Sequence, residues 1–225
     1  MTGHQEYLAD IKLPDVLHVK LVTLGCARAK INSIDVTAAE SLPGVAFVMT
    51  PGDLPQPIPR FGPQFQDRPV LADGETKYHG EAVAAVAAET KEIAEEAVRL
   101  VKVDYDELHG GVYSVAEALA EDPLLVQDPE LRGDTPLATT NVIDEKNFGW
   151  GDIDAQESDL VVEDTFQFPM VTHFAIEPHG FMAAPDGDGI ELWSTIQNPY
   201  LLQKMMAKLL DLPLSKVRVH APDPG

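Results

Sequence analysis

The sequence predicts an α+β chain built as two folded units. Three observations carry that expectation. Short runs in which apolar residues alternate with polar ones, the pattern of half-buried strands, recur along the chain. Two segments, near 90–100 and 198–210, instead place apolar residues three and four apart, as helices do. Between them, a stretch at 121–140 is acidic and studded with Asp122-Pro123, Asp128-Pro129, Gly133-Asp134 and Thr135-Pro136, dipeptides that favour turns and extended chain.

Taken in order, Leu17 to Val22 alternates and reads as a strand, with a second from Ile31 to Val36. Thr37-Ala-Ala-Glu40 has capping-box spacing, so a short helix is expected to start there. Leu42-Pro43-Gly44 ends it, and Val45 to Met49 reads as a buried strand. Six prolines then fall between Pro51 and Pro69, a density that neither a helix nor a central strand tolerates. Glu81 to Ala88 is a strand, Thr90 caps a helix running to about Leu100, and Val101 to Tyr105 is a strand. This strand–helix–strand order predicts a right-handed crossover onto one sheet. Asp106 to Gly111 turns the chain, and Val115 to Leu119 forms a turn or two of helix.

The second unit begins near Asn141. Asp159 to Phe168 reads as a strand. The run from Ala183 to Ile190 predicts a hairpin with Asp-Gly at its turn, and Ile190 to Ile196 is the return strand. Asn198 caps a helix with Pro199 in its first position. Leu201, Leu202, Met205, Met206, Leu209 and Leu210 form its apolar stripe, Leu212-Pro213 stops it, and Val217 to Val219 is a last strand.

Composition bounds the function. With 225 residues and 44% apolar content the chain has enough material for a core without staples. It carries 37 acidic and 16 basic residues, a net charge of −21, which argues against autonomous binding to nucleic acid or to an anionic membrane. Residues 121–164 hold 13 of the acids and 2 of the bases, so about half of the imbalance lies on the connecting stretch and its flank. A lone cysteine, Cys26, excludes an internal disulfide framework and any cysteine-rich zinc or iron–sulfur site in this sequence. No run approaches 18 apolar residues, and Met1 to Glu6 has neither a basic nor an apolar region, so a soluble, cytoplasmic chain without a leader is expected.

Four places invite chemistry. His173, Glu177 and His179 fall at even offsets and share one face of an extended segment, but the spacing is not that of the helical zinc motif. A buried, hydrogen-bonded Glu and His holding a loop is the preferred reading, and no metal ligand is assigned. Gln197 stands between a strand and the mouth of a helix. There, unsatisfied N–H groups and the partial positive charge of the dipole favour an oxo or anionic group. Tyr78-His79-Gly80-Glu81 reads as a special-φ glycine beside an ordered carboxylate rather than an acid/base pair. Cys26 reads as a packing residue. Gly149-Trp-Gly-Asp152 is not followed by an apolar helix, so no nucleotide-binding loop is supported. No catalytic residue is assigned within the chain.

The succession of segments resembles the molybdopterin-binding large subunit of the xanthine dehydrogenase/aldehyde oxidase family, the molybdenum hydroxylases. The resemblance runs from Thr2-Gly3 through Leu13 to His18, Leu42 to Val45, Tyr78 to Val83, Val101 to Tyr105, Asn141-Val142, Glu177-Pro178 and Gln197-Asn-Pro199 to Val217-Arg-Val219. It implies an α/β hammerhead domain over 1–120, an acidic linker over 121–140, and over 141–225 the start of a mixed α/β molybdopterin-binding domain. It also implies hydroxylation of an aldehyde or N-heterocycle with water as oxygen source. By the same resemblance Gln197 matches the glutamine that hydrogen-bonds an oxo ligand of molybdenum, and Gly225 stands where a glycine-rich cofactor loop begins. Molybdenum–molybdopterin is implied for the complete assembly, with iron–sulfur clusters and FAD on partners. The expected partners are the remaining part of the molybdopterin subunit, an iron–sulfur subunit and an FAD subunit. The Ser-Pro-His-Ala-His-like stretch of the family is replaced here by Leu24-Gly-Cys-Ala27, and its catalytic glutamate has no counterpart in this sequence. The chain is therefore expected to be one piece of a split or truncated large subunit, without cofactor or turnover on its own. The alternative is a non-catalytic binding or assembly module on the hammerhead fold. A hydrolase using His173, Glu177 and His179 has little support.

Overall fold

The computed structural model describes residues 6–152, 155–169 and 171–223. In chain order the strands are β1 (His18–Thr23), β2 (Ala29–Asp35), β3 (Val45–Met49), β4 (Arg60–Phe61), β5 (Arg68–Pro69), β6 (Glu75–Thr76), β7 (Ala82–Ala88), β8 (Lys102–Glu107), β9 (Phe181–Asp186), β10 (Gly189–Ser194) and β11 (Val217–His220). The helices are α1 (Thr37–Glu40), α2 (Lys91–Leu100), α3 (Val115–Ala118) and α4 (Pro199–Leu209).

The first unit stacks α2 on the antiparallel sheet β1-β7-β3; a second antiparallel sheet, β6-β2-β8, lies beside it. The sequence Ala-Val-Ala-Ala-Val-Ala-Ala of β7 is poor in strand propensity, yet it occupies the central position. Its small side chains let the helix backbone approach. Ala84, Val86 and Ala88 are fully buried, as are Ala94 and Ala97 of α2. Thr90 Oγ1 accepts from the Ile93 N–H at 3.2 Å and starts the helix where the sequence places it.

Three expectations need correction here. The strands flanking α2 do not share a sheet. Both edges of β7 are already taken, by β1 and β3, so β8 pairs antiparallel with β2 instead. The short helix α1 does start at Thr37 as expected, but Thr37 is its first residue and not its cap. The N-cap position is Val36, one residue earlier, and the Thr37 N–H donates to Asp35 Oδ1 at 3.0 Å in an Asx-type turn. Finally, Asp159 to Phe168 forms no strand. The alternation is present, but among the described residues no neighbouring edge pairs with it.

The acidic stretch is a loop that folds back on itself. Pro129–Arg132 makes a 3-10 turn, and Arg132 is 5% exposed. Its guanidinium donates to the carbonyls of Leu137 (2.9 Å), Thr140 and Val142 (3.0 Å) and lies 5.0 Å from the centre of the Phe65 ring. The proline-rich loop thus supplies the ring that covers this arginine.

The second unit is smaller. The β9–β10 hairpin turns at Gly187-Asp188, with Gly187 at φ +60°. From β10 the chain crosses through α4 and returns as β11, parallel to β10 in the register Ile190↔Val217 to Trp193↔His220. The strand–helix–strand crossover is therefore found here. Leu192, Ala207 and Val217 form its core, with Ile190, Met206, Leu212 and Val219 packed around them. Only Ala207 of α4 is buried, while Leu201 and Leu210 of the expected stripe are exposed. Among the described residues no helix is long and apolar enough to cross a membrane.

Candidate functional site

In a parallel βαβ unit the loops that follow the strands gather at their carboxyl ends, beside the N-terminus of the crossover helix. Here those loops are Thr195–Asn198 after β10 and the segment from Ala221 after β11. Beneath the first, Ser194 is fully buried and its Oγ has no hydrogen-bond partner. Thr195 clasps the loop to the residue preceding β9. Its N–H donates to Gly180 O at 3.4 Å, and Gly180 N–H donates to Thr195 Oγ1 at 3.3 Å.

Gln197 sits on the bend of this loop, exposed. Asn198 then closes the helix mouth: its Oδ1 accepts from the Leu201 N–H at 3.1 Å, and Pro199 brings no N–H of its own. The mouth is thus less rich in free donors than the sequence pattern implies. The Leu202 N–H also bonds back to Asn198 O, at 3.2 Å, and the exposed Gln197 carries a side-chain amide donor beside this mouth.

Two features at the same end escaped sequence reasoning. Trp193 and His220, register partners on parallel strands, stack with ring centres 5.0 Å apart and planes inclined by 16°. Beside them Glu191 receives Arg218 Nη1 at 2.5 Å and stands 3.5 Å from His220 Nε2. The Arg218 hydrogen bond, aided by His220, holds the Glu191 carboxyl below the usual range. Nothing in the sequence marks Trp193 and His220 as neighbours, because a parallel register across a helix of 11 residues is not written in local periodicity. An open cleft of about 380 Å³ lies on the flank of α4 among Pro199, Tyr200, Gln203, Leu214 and Val217, and does not include Gln197.

The other sequence candidates fall away from this place or into structural roles. His173 and His179 are exposed and Glu177 is half-buried, so neither histidine is the buried one expected from the sequence. Among the described residues no group of three His, Cys, Asp or Glu side chains is arranged to hold a metal ion. Gly80 has φ +88° and His79 is exposed. Glu81 is buried, accepts from the Lys77 N–H at 2.5 Å, and is pushed up in pKa by that burial. Cys26 is buried in the core of the first unit. Gly225 lies outside the described residues.

Comparison with known proteins gives two family matches. The model described as aldehyde oxidase and xanthine dehydrogenase, a/b hammerhead domain, matches residues 2–109, and that described as molybdopterin cofactor-binding domain matches residues 135–225. The nicotinate dehydrogenase large molybdopterin subunit of Eubacterium barkeri is 33% identical over 220 residues, covering 96% of this chain and 49% of its own length. A probable xanthine dehydrogenase subunit of Bacillus subtilis is 34% identical over 222 residues, covering 97% and 28%. Among solved structures, quinoline 2-oxidoreductase from Pseudomonas putida 86 superimposes with a TM-score of 0.82 at 29% identity, over 99% of this chain and 28% of that one. Aldehyde oxidoreductase from Desulfovibrio gigas gives 0.81 at 28% identity, over 98% and 25%. The chain thus spans about half the length of the first of these relatives and about a quarter of the others.

Proposed function

The chain belongs to the aldehyde oxidase and xanthine dehydrogenase family, and from that premise we propose that it works as part of a molybdenum hydroxylase large subunit. In this reading residues 1–120 are the hammerhead domain, 121–140 the connecting segment and 141–225 the opening part of the molybdopterin-binding domain. The enzyme would oxidise an aldehyde or an N-heterocycle with water as oxygen source, and pass electrons to iron–sulfur and FAD partners.

The observation that carries the reading is the presentation of Gln197. Its amide is exposed at the carboxyl end of β10, on a loop fixed by the Thr195–Gly180 clasp and the Asn198 cap. A neutral donor at the positive end of a helix fits an oxo ligand. Bound there, the molybdenum cofactor supplies a two-electron redox centre. Gln197 would hold that group through its N–H, from a loop whose backbone is fixed by the Thr195–Gly180 clasp and the Asn198 cap.

One amide on an open surface does not enclose a cofactor, so the rest of the cradle comes from other polypeptide of the large subunit. The uncovered apolar side chains of the second unit support this. Phe148, Trp150, Phe166, Phe168, Phe174 and Ile176 are each at least 77% exposed, far above what a finished core leaves in water. Metal analysis tests the proposal. The 225-residue chain purified alone carries no stoichiometric molybdenum, and the chain co-purified with the remaining large-subunit polypeptide does. Stoichiometric molybdenum on the isolated chain would contradict it.

A further inference from the structure

The sheet β1-β7-β3 has a second face. Lys20 Nζ pairs with Glu95 of α2 at 3.1 Å, which places Lys20 on the helix side, so Val19 and Leu21 point the other way. The register brings Val19, Ala87 and Phe47 into one row and Leu21, Ala85 and Met49 into the next. Val19 is 60%, Leu21 56% and Phe47 47% exposed. By contrast, the neighbouring β2-β8 pair exposes the charged Lys30, Asp104 and Asp106 together with a single large hydrophobic residue, Tyr105.

The face is a trough. The two alanines of the central strand form its floor and the larger side chains of β1 and β3 its walls. At one end Val83, on the same side of β7, is fully buried, so the trough is closed there and open past Ala87. Its walls stand on strands about 10 Å apart, two inter-strand spacings, which matches the roughly 10 Å diameter of an α-helix with its side chains. The other face of β7 shows what such a floor receives: α2 lies over Ala84, Val86 and Ala88, with Ala94 and Ala97 buried.

We propose that this trough docks an amphipathic helix of two to three turns from a separate polypeptide, with a stripe of small and aliphatic residues and a basic polar face. Three arguments select that occupant. The open apolar area of Val19, Leu21 and Phe47 is on the order of 300 Å², taking side chains of about 150–200 Å² at these exposures. That is well under half of the ~800 Å² per partner of a standard interface, too little for a stable pair of copies. A second copy would also bring another net charge of −21, whereas a basic helix is attracted by it. The amphipathic helix of the second unit, α4, already seats Ala207 and Met206 on its own sheet. This inference stands on the first unit alone and does not depend on the reading of Gln197.

The test uses the whole chain and a synthetic 14-residue helix-stabilised peptide with an Ala/Leu stripe flanked by lysines. Controls carry the same stripe flanked by glutamates, or the stripe scrambled. Binding is read by fluorescence anisotropy, its location by hydrogen exchange, and the state of the free chain by sedimentation. The lysine-flanked peptide protects β1 and β3 and binds at least ~10-fold more tightly than either control, and Val19→Asp, Leu21→Asp or Phe47→Asp each weakens it at least ~10-fold, because a carboxylate is then buried against apolar groups. Should an aspartate variant fail to fold, Val19→Thr and Leu21→Thr, which keep strand propensity, are to show the same order of effect at smaller size. Failure of the peptide to bind, binding indifferent to these substitutions, or a dimer of the free chain that Val19→Thr dissociates would each overturn the proposal.

Discussion

Arg132 offers the sharpest test of how the connecting segment is held. It is buried, and among the described residues no carboxylate pairs with it. Its stabilisation comes instead from the carbonyls of Leu137, Thr140 and Val142 and from the face of Phe65. Each hydrogen bond from a charged donor contributes about 1.5–3 kcal/mol, and the ring contact about 0.5–2 kcal/mol. Removing a guanidinium from water costs several kcal/mol, so Arg132→Ala is expected to lose about 2–4 kcal/mol. The loss is local, since the segment 133–142 carries no strand or helix of either core. Hydrogen exchange is the assay. The Ala138 and Thr140 N–H groups, bonded to Thr135 O and Leu137 O, should exchange about 30- to 1,000-fold faster at every 1.4 kcal/mol per decade. Amides of β7 should stay unchanged. Arg132→Lys keeps the charge but not the fork, and should fall in between. Unchanged exchange at Thr140 in Arg132→Ala would refute the reasoning.

Other expectations are equally concrete. Thr90→Ala removes the acceptor for the Ile93 N–H and should lower stability in urea by about 1 kcal/mol, with Thr90→Ser restoring most of it. Glu81 binds protons more tightly in the folded chain than its ordinary value of 4.5, because burial disfavours its charge. The folded state therefore holds more protons within that window, and stability falls as pH rises through it. Glu81→Gln removes this term, so the melting advantage of the variant over wild type should grow from about pH 4 to about pH 7; a constant difference would contradict the assignment. Gly189→Ala would place a Cβ 2.2 Å from Lys216 O, so the start of the parallel β10–β11 pairing must shift. The variant should lose about 2 kcal/mol and deprotect β11 in hydrogen exchange.

What the sequence made legible is what local chemistry decides. Val45–Met49, the Thr90-capped α2, the hairpin turning at Gly187 and the Asn198–Pro199 helix start all follow from periodicity and turn residues within a few positions. What it hid depends on competition between distant segments. Whether β8 joins β7 is settled by β1 and β3 occupying both edges first, and that is not encoded near Lys102. The alternation of 159–168 marks a strand, but pairing needs an edge that no described residue offers. Arg132 looked like one base in an acidic run; its burial follows from three carbonyls brought round by the turn at Gly133. At the candidate site the sequence pointed to Gln197 and to its helix mouth. It overstated the free donors there, since Asn198 and Pro199 leave fewer of them than the pattern implied. The stack of Trp193 on His220 was invisible for want of the parallel register.

The central claim is that the Gln197 amide serves the cofactor of a molybdenum hydroxylase. The direct measurement is turnover of the co-purified complete enzyme carrying Gln197→Ala, with molybdenum content determined on the same sample. The account predicts full molybdenum occupancy with kcat/KM lowered by about 10²-fold, as for loss of one preorganised donor, and partial recovery in Gln197→Asn. Wild-type kcat/KM in the fully loaded Gln197→Ala enzyme would contradict it.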